Sequence, residues 1–284
     1  MEKHSSQYRV GRMCCLLSLS RSGYYAWRRR PKSPRDIGNE RIKHEIREIY
    51  NEGCGEYGTP TVYNVLRERG WRVNHKRVER LMRQMGLFSK VVKKFKRTTK
   101  RCGDHLASPN LLKQNFASEG PNRVWVSDIT FVWTVEGWLY LTTVKDLWSR
   151  RITGYAITDH LKAEAVLEAL RMAFGYRKVQ AGMIFHSDRG KQYVDKRVRE
   201  LLGTYDIRQS MSSTGNCYDN APAESFFATF KKGHLFWGSP FQTREEARRR
   251  ITEYLDVFYN CVRRHSSLGY KSPVAFELQH AMLA

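Results

Sequence analysis

The sequence predicts an all-α front segment, a mixed α/β domain behind it, and a helical tail. Apolar residues recur at helical spacing between Asn39 and Gly86, shorten to strand-like runs near residue 120, and return to helical spacing in one long closing segment. The reading divides the 284 residues into a basic arm (1–36), a helical unit (37–90), a basic linker (91–119), an α/β domain (120–235) and a helical extension (236–284).

The arm ends in RRRPKSPR, where two prolines and bunched charge oppose a regular element, so this run reads as exposed linker. SLSRSGYYAW before it has the makings of a short helical turn whose aromatics pack on a neighbour. Ile42, Ile46 and Ile49 then form one helical stripe, broken by Gly53, Gly55 and Gly58. Thr59 and Pro60 make a good N-cap and first-turn pair for a second helix through Val62, Tyr63, Val65 and Leu66, stopped by Gly70. Asn74 can cap a third, with Val78, Leu81, Met82 and Met85 as its buried face before Gly86.

Three short helices with tight turns match a helix-turn-helix unit. In such a unit the third helix enters the DNA major groove, which makes His75, Lys76, Arg77, Arg80 and Arg83 candidates for phosphate and base-edge contacts. A small bundle with a solvated basic face is the alternative. The VVKKFKRTTKR run reads as a tether that grips phosphates through Lys93, Lys94, Lys96 and Arg97, and Arg28, Arg29 and Arg30 of the arm are further candidates.

NRVWVSDITFVWT, WLYLTTVKDLWS and RRITGYAIT read as three strands, the first two joined by a turn at Glu136–Gly137. Residues 162–174 are helical through Ala165, Val166, Leu170 and Phe174. GMIFHSD is a short strand, VDKRVRELLGTY a helix, DIRQS another strand, and a further helix runs from near Asp219 to Lys232. That order is the one expected of a mixed-sheet domain of ribonuclease H type. The tail is a long helix with Ile251, Leu255, Phe258, Tyr259 and Val262 on its apolar face, packing on the α/β domain or on another subunit. Arg248, Arg249, Arg250, Arg263 and Arg264 are then left for nucleic acid.

Charge points the same way. The formal net is +22, and residues 1–110 carry 26 basic and 10 acidic side chains against 24 and 18 in the remainder. A segment that electropositive calls for a polyanion, DNA first, with RNA or a merely soluble basic surface as alternatives. No apolar run approaches the roughly 18 residues of a membrane span, and Leu16, Leu17 and Leu19 are too few for a secretory signal. Six cysteines form no CxxC pair; Cys261 and His265, four apart, lack further ligands and read as structural. A cytoplasmic protein with reduced thiols is expected.

Asp128 falls within a predicted strand, Asp188 just beyond another, and Glu224 inside a helix. Carboxylates in apolar segments need partners. Neighbouring strands can bring Asp128 and Asp188 to one sheet end, and a helix across that end can deliver Glu224. Crowded together they would repel and hold protons unless divalent cations intervene. Hard oxygen ligands favour Mg²⁺, two ions with Mn²⁺ as a substitute, and two metals about 3.5–4 Å apart suit phosphodiester chemistry. Taken singly, each residue is equally well a strand end, a turn residue or a solvated helical charge.

WVSDIT at 125–130, HSDRGKQY at 186–193, STGNCYDNAPAESFFATFKK at 213–232 and YNCVRRHSSLGYKSPVAF at 259–276 resemble, in order, the second-reading-frame transposase proteins of bacterial insertion sequences, whose core is similar to retroviral integrases. SRSGYYAWRRR and YGTPTVYNVLRERGWRVNHKRVERLMRQMGL resemble the same family, so the likeness spans residues 20–276. Thirty-five residues separate Asp188 from Glu224, the family's hallmark spacing. The resemblance implies a transposase that cuts element-end DNA to free a 3′-hydroxyl and joins that strand to another phosphodiester, with Asp128, Asp188 and Glu224 as catalytic metal ligands. It implies double-stranded DNA, terminal inverted repeats and target DNA as partners, a dimer or larger oligomer on DNA, and a bacterial cytoplasm with the nucleoid as location. Lys231 and its neighbour Lys232 would contact DNA, Asn220 would orient the scissile end or its metals, and His186 would support the site unless it is a packed strand histidine. The family's active product is commonly a fusion with an upstream-frame protein carrying a helix-turn-helix and a leucine zipper, and this chain has no leucine heptad. A plain metal-dependent nuclease and a DNA-binding accessory protein remain as alternatives.

Overall fold

A computed structural model describes residues 1–90, 108–213 and 217–282, the side chains of Cys217 and Tyr218 excepted. The linker candidates Lys93, Lys94, Lys96 and Arg97 lie outside the described residues. The chain divides into two compact units, 1–47 and 48–284, with the division falling inside one helix.

The first unit is more regular than the sequence reading of an arm. Helix α1 spans Val10–Leu16 and α2 spans Arg21–Arg29. Ser20 caps α2 by accepting a hydrogen bond from the Gly23 N–H at 3.3 Å, which fixes the turn that SLSRSG only hinted at. Arg28 and Arg29 therefore sit in the last turn of a helix, where cations suit the helix dipole. Pro34 opens α3 (Pro34–Glu52), with the Asp36 N–H donating to Ser33 at 3.1 Å.

In the second unit, α4 (Thr59–Glu68) and α5 (His75–Gln84) bury Val62, Val65 and Leu66 beside Val78, Leu81 and Met82. Asn74 caps α5 through its side-chain oxygen, 2.8 Å from the Lys76 N–H, as the sequence predicts. Gly58 rather than Thr59 occupies the α4 cap. This is the helix-turn-helix unit.

A five-stranded mixed sheet follows, in the order β3-β2-β1-β4-β5. Strands β1 (Val124–Thr134), β2 (Gly137–Asp146) and β3 (Ile152–Thr158) form an antiparallel meander; β4 (Ile184–Ser187) and β5 (Arg208–Met211) add in parallel. Alternation assigns each residue to a face. Trp125, Val144 and Phe185 pack under α6 (Ala163–Tyr176) and α7 (Lys196–Thr204), while Val132, Leu139 and Leu141 pack under α8 (Ala221–Phe230) and the tail. The sheet is thus a middle layer, as a ribonuclease H-like core requires.

The tail departs from an ordinary helix. After α9 (Arg244–Glu253) the chain runs in π-helical geometry from Tyr254 to Val262, and α10 (Pro273–Ala281) closes it. The wider turn keeps Tyr254, Leu255, Phe258 and Tyr259 buried and also turns Asn260 inward. Asn260 accepts from the Ile152 N–H at 2.9 Å and donates to the Ile152 carbonyl at 3.0 Å, extending the edge of β3. No helix among the described residues is long and apolar enough to cross a membrane.

Helix α6 approaches β3 so closely that a Cβ on Gly154 would run into the Ala169 carbonyl oxygen and lie 2.8 Å from the Ala173 backbone nitrogen. Both are backbone atoms and cannot swing aside. Gly154→Ala is expected to cost about 1–3 kcal/mol through overpacking, read as a lower urea midpoint; an unchanged midpoint would show that this layer spacing is soft.

Candidate active site

Asp128 lies on the side of β1 that α8 covers, in line with Val124, Val126 and Val132. Parallel pairing sets Val124 opposite Ile184 and Val126 opposite His186. Continuing that register two residues further brings Asp128 opposite Asp188, just past the end of β4. The Asp188 carboxylate accepts the Gly190 N–H at 2.9 Å, so the SDRG turn orients it, and Asp128 accepts the N–H of Ile129 at 2.8 Å.

Glu224 stands in the first turn of α8, a favourable place for an anion. Phe226 and Phe230 on the same helix are buried under the sheet, each contributing roughly 1.5–3 kcal/mol to holding it there. Two hydrogen bonds fasten its N-terminal end: the Asn220 amide donates to the Ser127 carbonyl at 3.2 Å, and the Lys145 ammonium donates to the Pro222 carbonyl at 3.1 Å. Ahead of α8, the buried Asp219 carboxylate accepts from Asn110 at 2.8 Å, Gln114 at 3.1 Å and the Ser213 N–H at 2.8 Å.

The electrostatics follow from this crowding. Burial pushes the Asp128 carboxyl well above the usual carboxylate range, and Asp188 and Glu224 push it further, while Ile129 N–H and Lys231 pull it back. Burial likewise raises Asp188, against the Gly190 hydrogen bond. Glu224 is raised by burial and by Asp188. Lys231 caps the C-terminal end of α8; burial lowers its pKa and attraction to Asp128 opposes the shift. Asp128 thus feels both other carboxylates, and Lys231 is a cation that favours its charged form.

Three carboxylates that are costly to charge together are oxygen donors of the type a hard divalent cation favours, but their oxygens are not all within 4.8 Å of one another here; among the described residues the buried Asn220 side-chain oxygen has no hydrogen-bond partner. On α3, His44, Glu45 and Glu48 form a different set, each offering one donor atom within 4.8 Å of the others and so capable of coordinating a divalent ion.

Other expected residues fall in varied places. His186 is fully buried, its Nδ1 2.8 Å from the Ser210 hydroxyl and its Nε2 3.4 Å from that of Ser212, and burial lowers its pKa against the pull of Asp219. It is a packed strand histidine that ties β4 to β5. His75, Lys76 and Arg80 are exposed on α5, Arg77 is partly buried, and Arg83 pairs with Glu79 at 3.2 Å. Arg28, Arg29 and Arg30 are exposed. Lys232 is partly buried, and its carbonyl accepts the Trp237 indole N–H at 2.9 Å. Arg263 and Arg264 pair instead with Glu56 at 3.4 Å and with Glu68 at 2.6 Å, the latter at the surface. Cys261 donates to the Asp256 carbonyl at 3.2 Å and the His265 ring packs on Tyr259, so each has its own structural role.

Three residues at the site carry no advance signal. Tyr193 shares a 2.8 Å hydrogen bond with the Ser127 hydroxyl, next to both aspartates. Lys145, pushed down to about 7 by burial and by Arg150 and Arg263, looks from the sequence like a surface lysine. Asp219 looks like a turn residue.

Comparison with known proteins decides the family. Residues 118–217 and 205–273 match two integrase core domain families, and residues 38–95 match an HTH-like domain. A 31 kDa protein of insertion element IS600 from Shigella sonnei is 42% identical over 96% of this chain and all of its own. Transposase InsF of insertion sequence IS3A from Escherichia coli is 38% identical over 98% of this chain and 96% of its own. The chain belongs to the insertion-sequence transposases with an integrase core. It is an enzyme of the transposase and integrase class. Among solved structures, the HTLV-2 integrase catalytic core in complex with magnesium overlaps at a TM-score of 0.43 with 13% identity, covering 56% of the transposase and 99% of that chain.

A carboxyl whose folded-state pKa is raised holds its proton longer when folded, so its stabilising contribution is complete at acid pH and is lost as pH rises through the folded value. At neutral pH, Asp128 therefore weakens the metal-free fold. Asp128→Asn is expected to raise the thermal midpoint at pH 7 in the presence of chelator, with the gap closing below the ordinary carboxylate range. Equal midpoints at pH 7 would mean the repulsion is relieved by something other than a proton or a cation.

Proposed function

We propose that Asp128, Asp188 and Glu224 hold two Mg²⁺ ions, replaceable by Mn²⁺, and that the enzyme cuts element-end DNA to expose a 3′-hydroxyl and transfers that strand into another phosphodiester. The convergence of three mutually repelling carboxylates from β1, the end of β4 and α8 carries this reading. When bound, the ions would supply activation of water or the 3′-hydroxyl and stabilisation of the departing oxygen.

The chain's own residues do the rest. Asp128 and Asp188 are rigid because a sheet register and a turn fix them, whereas Glu224 is delivered by a helix stapled through Asn220 and Lys145. Tyr193 and Ser127 close the floor beneath Asp128 against water. Lys231, at the C-terminal end of α8 and within electrostatic reach of Asp128, is suited to hold a DNA phosphate at the rim. His75, Lys76, Arg77, Arg80 and Arg83 are the proposed groove and backbone contacts of the helix-turn-helix, with Arg28, Arg29, Arg30 and Lys232 adding phosphate contacts. Two DNA ends need two active sites, so a dimer or larger assembly on paired terminal repeats is proposed. The setting is the bacterial cytoplasm, on the nucleoid. A fused upstream segment carrying a second helix-turn-helix and a leucine zipper would add a further end-binding element.

The test is cleavage and joining of labelled element-end DNA with Mg²⁺. Wild type is expected to cut at the 3′ end and to join a supplied pre-cut end; cutting without joining would leave a plain nuclease. Asp128→Asn is expected to reduce both steps to background with end binding retained, and any surviving cleavage would remove Asp128 from the metal site. Arg80→Ala is expected to flatten the dependence of log binding on log salt by about one unit if it contacts a phosphate. An unchanged salt slope would remove Arg80 from the phosphate contacts.

A further inference from the structure

The loop between α3 and α4 contains a carboxylate that no surface loop needs. The Glu56 side chain is only 2% exposed. One of its oxygens accepts from both the backbone N–H and the ring Nδ1 of His234, each at 3.0 Å, and the other faces the Arg263 guanidinium at 3.4 Å. His234 lies four residues beyond the end of α8 and is wedged against Tyr254 and Phe258 of the π-helical segment. The approach is tight: a Cβ on Gly233 would fall 2.7 Å from the Glu56 carboxylate.

The same loop is bound on its other side to the chain leaving α5. The Ser89 hydroxyl donates to the Glu56 carbonyl at 2.7 Å, and the Lys90 N–H donates to the Gly55 carbonyl at 3.2 Å. Two flanking links join the same bodies. The buried Tyr57 hydroxyl donates to the Val262 carbonyl at 2.9 Å, and Arg264 reaches Glu68 at the end of α4 at 2.6 Å. Two acids in the helix-turn-helix unit are thus answered by two arginines in the tail.

A buried ion pair is a poor way to gain stability, because desolvation offsets most of the attraction, but it accepts only one arrangement of its partners. We propose that Glu56 is a positioning residue that locks the helix-turn-helix to the C-terminal end of α8, so that the protein sets the distance from recognised sequence to cleaved phosphodiester. This rests on the catalytic reading above. It makes the helix-turn-helix and the carboxylate site one rigid ruler, where a flexible joint would allow the cut to wander.

The test uses the full chain carrying Glu56→Gln, and separately Tyr57→Phe with Glu68→Gln in case the first variant does not fold. Element-end DNA is supplied unchanged and with one, two or five base pairs inserted between the bound sequence and the cut. Wild type is expected to keep a fixed distance, the cut moving with the bound sequence. The variants are expected to bind the end as wild type does, to lose about 10²-fold of cutting at the correct phosphodiester, and to spread the remainder over neighbouring positions. A second readout needs no activity: fluorophores on unnatural side chains at the exposed positions Arg80 and Ala228 report the distance between α5 and α8 in the free protein. One narrow distribution in wild type that broadens in the variants supports the clamp. Unchanged distributions, or variant cuts confined to the wild-type phosphodiester, overturn it. If wild type cuts no end DNA, the catalytic reading fails, while the distance measurement still decides the clamp.

Discussion

Parallel pairing of β1 with β4 is the constraint on which the site depends. Because successive side chains alternate, pairing Val126 with His186 leaves no freedom over where Asp128 and Asp188 go: both emerge on the α8 side, at one end of the sheet. A slip of one residue would turn Asp188 toward α6, into the apolar layer formed by Phe185, Leu170 and Val166. The apolar residues around the aspartates thus enforce the register that crowds two negative charges together. The core supplies the energy, and the site uses a small part of it to keep its carboxylates in an unfavourable arrangement.

Helix α8 completes that arrangement from the other side. Its inner face is unusually aromatic, with Phe226, Phe227 and Phe230 all buried, so the helix cannot rotate without exposing one of them. Glu224 sits on the outer flank of the first turn and inherits this rigidity. Lys145 shows how far the fold goes to hold the helix end: an ammonium group taken out of water, close to two arginines, with the Pro222 carbonyl accepting its hydrogen bond. A methionine would be cheaper there if packing were all that mattered.

Much of this was legible in the sequence because the signals are local. Helix α5 is announced by Asn74, by its apolar stripe and by Gly86; β4 is announced by the apolar run Met183-Ile184-Phe185 before a turn; the order of strands and helices follows from the changes of period. What escaped depends on partners far along the chain. Arg263 and Arg264 read as nucleic-acid contacts since nothing nearby neutralises them, yet Glu56 and Glu68, some two hundred residues earlier, do so in the fold. The π-helical run was invisible for a different reason. Its apolar residues satisfy ordinary helical spacing, and only the inward turn of Asn260 toward Ile152 reveals the wider geometry. Trp133 and Trp138 alternate like core residues, yet both are nearly half exposed and pack edge to face on each other at the end of the β1–β2 hairpin.

The π-helical run links the two halves of the molecule's chemistry. From one side it packs Tyr254 on Phe230 of α8 and Phe258 on His234; at its end it presents the Val262 carbonyl to Tyr57 and the Arg263 guanidinium to Glu56. An α-helix of the same length would rotate successive residues by a different angle, so it could not serve the core and the helix-turn-helix loop from these same positions. The helix-turn-helix loop and the α/β core are therefore both contacted by a segment whose sequence looks like a plain amphipathic helix, and its wider winding sets which side chains face each of them.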